Sequence, residues 1–258
     1  MLIRCALLIL LFAFPVNSEP KLTREDKPAG LELWDTLLGP LWIPKPGIHV
    51  IKHLEWEQAV QKVYEYSSAK VQSGDIVVDC GAHIGGFTRM ALRAGAQLVI
   101  AIEPELSNIR AFRRNFAGEL KSGKVVLVEK GVWDKNGRLS LHLSQTGDSH
   151  SVAILQNAGK DEQIEVVTVD SLVQMLKLPK VDFIKMDIEG AEQNALRGAG
   201  RVLTKWHPRL AISSYHQKGD PEAICKIAWG FQPNYLIGSK DLEKIAEKAG
   251  SPKVLFFY

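Results

Sequence analysis

Short apolar runs separated by amphipathic stretches dominate the chain from residue 76 onward. Ile76-Val77-Val78 reads as a buried strand, and Phe87, Met90, Ala91 and Ala94 then share one face of a helix that Gly95 stops. Leu98 to Ile102 predicts a second strand, Glu105 to Phe116 a second helix and Val125 to Val128 a third strand. This alternation at crossover length is the pattern of a doubly wound, mostly parallel α/β sheet. Val181 to Met186 and Leu210 to Ser213 predict further parallel strands, with a helix from Gly190 to Leu196 between them. Asp220-Pro221-Glu222 supplies an N-cap, a proline at the first helical position and a first-turn acid for a helix running to about Trp229. Phe231 to Ile237 and Lys253 to Tyr258 predict the last two strands, with an amphipathic helix from Asp241 to Lys248 between them.

Three stretches depart from that rhythm. Leu139, Leu141 and Leu143 alternate with polar residues, as do Ile164, Val166 and Thr168, which predicts an inserted antiparallel strand pair beside a polar loop from Gln145 to Ser151. Asp170 then caps a short helix carrying Leu172, Val173 and Leu176. Residues 19–53 mix charges with Pro20, Pro28, Pro40, Pro44 and Pro46, the composition of a linker and an irregular or short-helical N-terminal cap outside the core. Trp34, Trp42 and Trp56 pack that cap onto a domain spanning residues 54–258, which opens with a helix from Leu54 to Ala69. Residues 1–18 join Arg4 to an apolar run from Cys5 to Val16 and a small-residue end at Val16-Asn17-Ser18. They read as a signal peptide or, counted from Met1, as a membrane anchor. Either reading makes the domain secreted, extracytoplasmic or membrane-associated through its leader.

Charge narrows the partners. Thirty-two Lys+Arg against 29 Asp+Glu give a net charge of +3, too mild for a nucleic-acid partner, and Arg110, Arg113 and Arg114 read as a solvated helix face. Of three cysteines, Cys5 lies in the leader, leaving Cys80 and Cys225 as small core residues with no CxxC pair for zinc or redox chemistry.

Ligands of open α/β sheets bind beyond the carboxyl ends of the strands, so the strand-to-helix turns carry the candidate chemistry. The first is Asp79-Cys80-Gly81-Ala82-His83-Ile84-Gly85-Gly86, whose glycines allow close backbone approach to a ligand, although His83 replaces the middle glycine of a dinucleotide fingerprint. The second ends in Glu103-Pro104, with Glu103 eighteen residues past Gly85, the spacing of an acid that accepts hydrogen bonds from ribose hydroxyls. A third, Gly131-Val132-Trp133-Asp134, offers packing surfaces for a purine. The fourth, Lys185-Met186-Asp187-Ile188-Glu189-Gly190-Ala191-Glu192, directs Asp187 and Glu189 into the same crevice, where paired carboxylates can bind a hydroxyl, take its proton or hold a divalent cation.

Together with Thr168-Val169-Asp170-Ser171, these blocks resemble FkbM-type S-adenosylmethionine-dependent methyltransferases over about Gly74 to Ser214. The resemblance implies a Rossmann-like class I fold whose seven-stranded sheet has its last strand inserted antiparallel. It implies S-adenosylmethionine as cofactor, with Gly81, Ala82 and Gly85 under its methionine part and Asp79 near its amino group. Glu103 would then meet the ribose, Val132 and Asp134 the adenine, and Pro104 the cofactor beside them, while His83 stands where many members carry Asn. Gly131 stands where the family often has Ala, which loosens the packing on adenine. The implied reaction is O-methylation of a hydroxyl on a sugar, glycan or small metabolite.

Such a transfer needs the acceptor oxygen opposite the departing sulfur and a group to take its proton. His216, after the fifth parallel strand, is the expected base, with Asp187 and Glu189 as competitors or as ligands of a divalent metal that is not favoured. Ser149, His150 and Tyr215 are expected at the acceptor. Two other readings stand beside this one. Glu103 also suits an NAD(P)-dependent oxidoreductase, against which His83 and the Asp187 to Glu192 block speak. The leader suits a noncatalytic exported binding module on a degenerate fold, because S-adenosylmethionine is made in the cytosol.

Overall fold

A computed structural model describes residues 19–141, 162–241 and 253–258. The leader, Ser149, His150 and most of the helix expected over 241–248 lie outside the described residues. Among the described residues, no helix is long and apolar enough to cross a membrane.

The N-terminal segment is ordered, not irregular. Strands β1 (Lys21–Asp26), β2 (Leu31–Asp35) and β3 (Leu41–Pro44) form an antiparallel sheet in that order. Pro28 and Pro40 lie in its turns and Pro44 ends its last strand, positions where a missing N–H costs the ladder little. Helix α1 (Ile48–Leu54) follows and runs on as a π-helical stretch, Glu55–Gln61, which Lys62 ends in the left-handed region. The helix expected over Leu54 to Ala69 therefore starts and stops earlier, and Tyr64 turns into the core. Leu31, Leu38, Leu41, Ile43 and Ile51 are buried together with Ile84 and Ala111 of the main domain. The cap thus belongs to the core, contrary to the reading of its prolines.

The main domain runs β4 (Ile76–Cys80), α2 (Gly86–Arg93), β5 (Leu98–Ile102), α3 (Leu106–Asn115), α4 (Ala117–Ser122) and β6 (Val125–Val128). A small side sheet follows, from β7 (Gly131–Val132), β8 (Gly137–Leu141) and β9 (Glu162–Val167). Strands β8 and β9 are the expected antiparallel pair, and β7 adds in parallel to β9. Next come α5 (Val169–Met175), β10 (Phe183–Met186), α6 (Glu192–Arg197), α7 (Gly200–Trp206) and β11 (Arg209–Ser213). The chain closes with α8 (Asp220–Phe231), β12 (Ile237–Gly238) and β13 (Val254–Phe257).

The seven-stranded sheet has the order β12-β13-β11-β10-β4-β5-β6, and β13 runs antiparallel to both of its neighbours. Successive residues of each central strand point to opposite faces, so each face buries its own set. Val78, Ile100, Ile184 and Ile212 pack with helices α5 to α8, whereas Val77, Val99, Phe183 and Ala211 pack with Phe87, Phe112 and Phe116.

Several local expectations change. Thr168, not Asp170, caps α5 by accepting from Ser171 N, while Asp170 accepts from Arg201 N and Val202 N and so caps α7. Gly219 occupies the N-cap of α8, and Asp220 accepts from Gln217 N and Gln193 Nε2. The strand expected from Phe231 shrinks to Ile237–Gly238, because α8 extends to Phe231 and Trp229 Nε1 then closes the turn onto Tyr235 O. Arg113 and Arg114 are exposed but paired, with Glu129 and Asp26 respectively, and Arg114 also lies over Trp42, tying the cap to α3.

Asn115 and Arg89 hold the cap more firmly. Asn115 accepts from Trp42 N at 2.6 Å and donates to Trp42 O at 3.0 Å and Ile84 O at 2.9 Å. Arg89 donates to the carbonyls of Leu38, Pro40 and Asn115. Replacing Asn115 by Ala leaves three part-buried backbone groups without their partner. Asn115→Ala is expected to cost about 2–4 kcal/mol, seen as a Tm lower by roughly 5–15 °C in a thermal melt. At Gly85, φ is +98° and a methyl group would overlap the Phe116 ring. Gly85→Ala is expected to destabilise by about 2–4 kcal/mol, from backbone strain and overpacking together, as read by denaturant titration.

Candidate functional site

A cavity of about 700 Å³ opens at the carboxyl ends of β4, β5 and β10, the size range of a cofactor or drug-sized ligand. Its floor includes Gly81, Ala82 and His83, one wall Glu103, Pro104 and Val132, and the opposite wall Lys185, Asp187, Glu189 and Tyr215. The cap supplies the remaining side through His49, His53, Leu54, Glu57 and Gln58.

The glycine turn is shaped by close approach. Gly81 has a φ of +79°, and a side chain there would overlap the carbonyl of Asp187 at the end of β10. His83 adopts a φ of +52°, the left-handed region that Gly and Asn favour over other residues. Gly85 sits behind the turn against Phe116, and Leu54 of the cap packs onto Gly86.

Glu103 is 6% exposed. Its carboxylate accepts from His83 N at 2.8 Å, Glu105 N at 3.0 Å and Asn108 Nδ2 at 3.4 Å. Burial outweighs these donors and pushes its pKa up to about 7. The group is thus balanced between its neutral and charged forms near neutral pH, and added donors from a ligand favour the charged one.

Asp79 stands apart from the cavity wall. It is fully buried, accepts from Thr88 Oγ1 at 2.7 Å and lies 3.3 Å from Lys185 Nζ. The same ammonium donates to Gly81 O at 2.7 Å and Cys80 O at 3.3 Å and lies over the Tyr64 ring. Burial opposes its charge, but Asp79 and Asp187 prevail and hold its pKa above the usual lysine value. A lysine inside the run Phe183 to Met186 was the available signal for this role, since lysines are seldom buried unless paired.

The acidic turn after β10 is held from three sides. Asp187 Oδ2 accepts from the Tyr64 hydroxyl at 2.6 Å, and Glu192 accepts from Ile188 N and Gly190 N. Glu189 has a φ of +54°, strained for a residue with a side chain, and lines the cavity. His216 lies behind this turn, not in the wall, with Nδ1 2.9 Å from Glu192 Oε1 and Nε2 3.6 Å from Asp187 Oδ1 and 3.4 Å from Glu189 Oε2. Burial lowers its pKa, but Glu192, Asp187 and Glu189 overcome this and push it up to about 9. An imidazole in that state is already protonated at neutral pH and has no lone pair to take an acceptor's proton. Within the acidic turn, Asp187 and Glu189 are the carboxylates that line the cavity.

Val132 reaches the cavity, but Trp133 is buried against Ile164, Val166 and Ala191, and Asp134 is exposed beyond the strand end. Asp134 is therefore not gathered with the other predicted residues. A side chain at Gly131 would press on Ile164, so the small residue fits packing against the side sheet. Tyr64, Glu57 and the two cap histidines had no local sequence signal, because only the folding of the cap brings them to the strand ends.

Known proteins supply the context. The chain is 27% identical over 176 residues to Methyltransferase 1 of Beauveria bassiana, covering 60% of this chain and 70% of that protein. It is 23% identical over 177 residues to the hexuronic acid methyltransferase AglP of Haloferax volcanii, covering 69% and 70% respectively. Among solved structures, it matches the methyltransferase FkbM of Methylobacillus flagellatus at 25% identity with a TM-score of 0.55. That match covers 81% of this chain but only 52% of the solved chain, so the present chain spans about half the length of that relative. Residues 79–236, more than half of the chain, match the Methyltransferase FkbM domain model, and the chain belongs to that family.

Proposed function

We propose that this protein transfers the methyl group of S-adenosylmethionine to a hydroxyl oxygen of a sugar, glycan or small polar metabolite. The observation that carries this reading is Glu103, a buried carboxylate with a raised pKa in the wall of a cofactor-sized cavity, beside the glycine turn. Gly81, Ala82 and His83 lie under the methionine part, Glu103 receives the ribose hydroxyls, and Pro104 and Val132 flank the adenine. Asp187 and Glu189 receive the acceptor hydroxyl and its proton on the opposite wall. His49, His53, Glu57 and Gln58 of the cap offer polar groups suited to an acceptor with several hydroxyls. The relative from Haloferax volcanii, named as a hexuronic acid methyltransferase, supports a sugar as that acceptor. Family membership favours this reading over nicotinamide-dependent oxidation, which the glycine turn and Glu103 alone left open.

The reaction is a displacement at carbon. The acceptor oxygen forms its bond to the methyl carbon as the carbon–sulfur bond breaks, S-adenosylhomocysteine leaves and the hydroxyl proton passes to a carboxylate. Alignment of the two reactants in one cavity supplies much of the acceleration.

Incubation of the chain with labelled S-adenosylmethionine and a panel of uronic acids and neutral sugars is expected to yield labelled methyl ether together with S-adenosylhomocysteine. Label transferred to none of them by a chain that binds the cofactor moves the acceptor outside the sugar class. Glu103→Gln is expected to weaken S-adenosylhomocysteine by about 1–3 kcal/mol, roughly 5- to 150-fold, in calorimetric titration. An unchanged affinity contradicts the ribose assignment.

The pH dependence has a defined sign. The folded chain binds the Glu103 proton more tightly than the unfolded chain does, so this group's contribution to stability is present at low pH and lost as pH rises through about 7. Cofactor binding has the opposite slope, because ribose donors favour the carboxylate. Affinity for S-adenosylhomocysteine is expected to rise about tenfold from pH 6 to pH 8 in the native chain and to lose that component in Glu103→Gln.

A further inference from the structure

The packing behind the acidic turn leaves polar atoms without partners. The His216 side chain is 8% exposed; its Nδ1 is engaged by Glu192 Oε1 at 2.9 Å, whereas its Nε2 has no hydrogen-bond partner. Asp187 Oδ1 is also buried without one. These atoms face each other: His216 Nε2 lies 3.6 Å from Asp187 Oδ1 and 3.4 Å from Glu189 Oε2. Such separations match the edges of a tetrahedron around an ion with ligand bonds of about 2.1 Å, whose ligands stand about 3.4 Å apart.

We propose that His216 Nε2, Asp187 Oδ1 and Glu189 Oε2 hold one divalent transition-metal ion of the manganese-to-zinc series, which takes the place of the Nε2 proton and releases it to solvent. Two of these residues, Asp187 and His216, also have ligand atoms within 4.8 Å of one another and of Glu192, which stands on the other side of the ring. On the far side of the ring, Glu192 Oε1 lies 2.9 Å from Nδ1, the arrangement in which a carboxylate behind a ligating histidine fixes its tautomer and turns the other nitrogen to the metal. Glu192 is itself held by Ile188 N and Gly190 N, and the Tyr64 hydroxyl takes Asp187 Oδ2, leaving Oδ1 for the ion. An imidazole nitrogen with carboxylate oxygens suits manganese or zinc, whereas magnesium prefers oxygens and keeps its waters.

The ion would sit on the cavity wall that Asp187 and Glu189 line. Its role rests on the methyl-transfer reading: there it binds the acceptor oxygen and lowers the pKa of that hydroxyl. The site itself stands on geometry alone.

The test is titration of the full chain with Mn²⁺ without methyl donor or acceptor, following free Mn²⁺ by electron paramagnetic resonance. The expected result is one site per chain, weakened about tenfold or more in His216→Ala, displaced by Zn²⁺ and not by equimolar Mg²⁺. Where His216→Ala does not fold, Glu189→Gln, whose side chain is 31% exposed, carries the same expectation. No site, or a site that these substitutions leave at full affinity, overturns the proposal. A cation site in a chain that transfers no methyl group would leave this inference standing and remove only the role given to the ion.

Discussion

The buried ammonium of Lys185 is the interaction on which the site depends. It joins the end of β10 to the turn after β4 by donating to Gly81 O and Cys80 O while facing Asp79. Without it, Asp79 would be a buried charge lacking a counter-ion, a state that costs several kcal/mol. With it, the glycine turn is drawn so close to β10 that position 81 has room only for a hydrogen. Cofactor floor and acceptor wall are thereby set at a fixed spacing, which a displacement between two bound molecules requires.

The cap completes what the sheet begins. Asn115 treats Trp42 almost as a neighbouring strand would, exchanging hydrogen bonds with both its N–H and its carbonyl, and also reaches Ile84 in the glycine turn. That coupling places α1 and its π-helical extension over the cavity, and Tyr64 then reaches Asp187. Removing the cap would therefore open one side of the cavity and also release a carboxylate of the acidic turn.

Much of this was legible in the sequence, for identifiable reasons. Val125 to Val128 and Leu98 to Ile102 are continuous apolar runs bounded by polar residues, and both are strands with those same limits. Gly81 and Glu103 stood out because turn geometry and an acid at a strand end have local signatures. What stayed hidden depends on contacts distant in the chain. Asp170 looks like a cap for the helix that contains it, yet it caps the one beginning thirty residues later. His216 looks like a lone loop histidine, and only the fold surrounds it with Asp187, Glu189 and Glu192. The prolines of the cap suggested irregular chain because composition does not tell a proline in a turn from one that breaks a strand.

The central claim is that Glu103 and the glycine turn form the floor and wall of an S-adenosylmethionine site that faces Asp187 and Glu189. A crystal structure of the chain with S-adenosylhomocysteine tests it most directly. The account predicts both ribose hydroxyls within hydrogen-bond distance of the Glu103 carboxylate and the sulfur turned toward the Asp187–Glu189 wall. A ligand seated elsewhere, or one whose ribose does not touch Glu103, would contradict it.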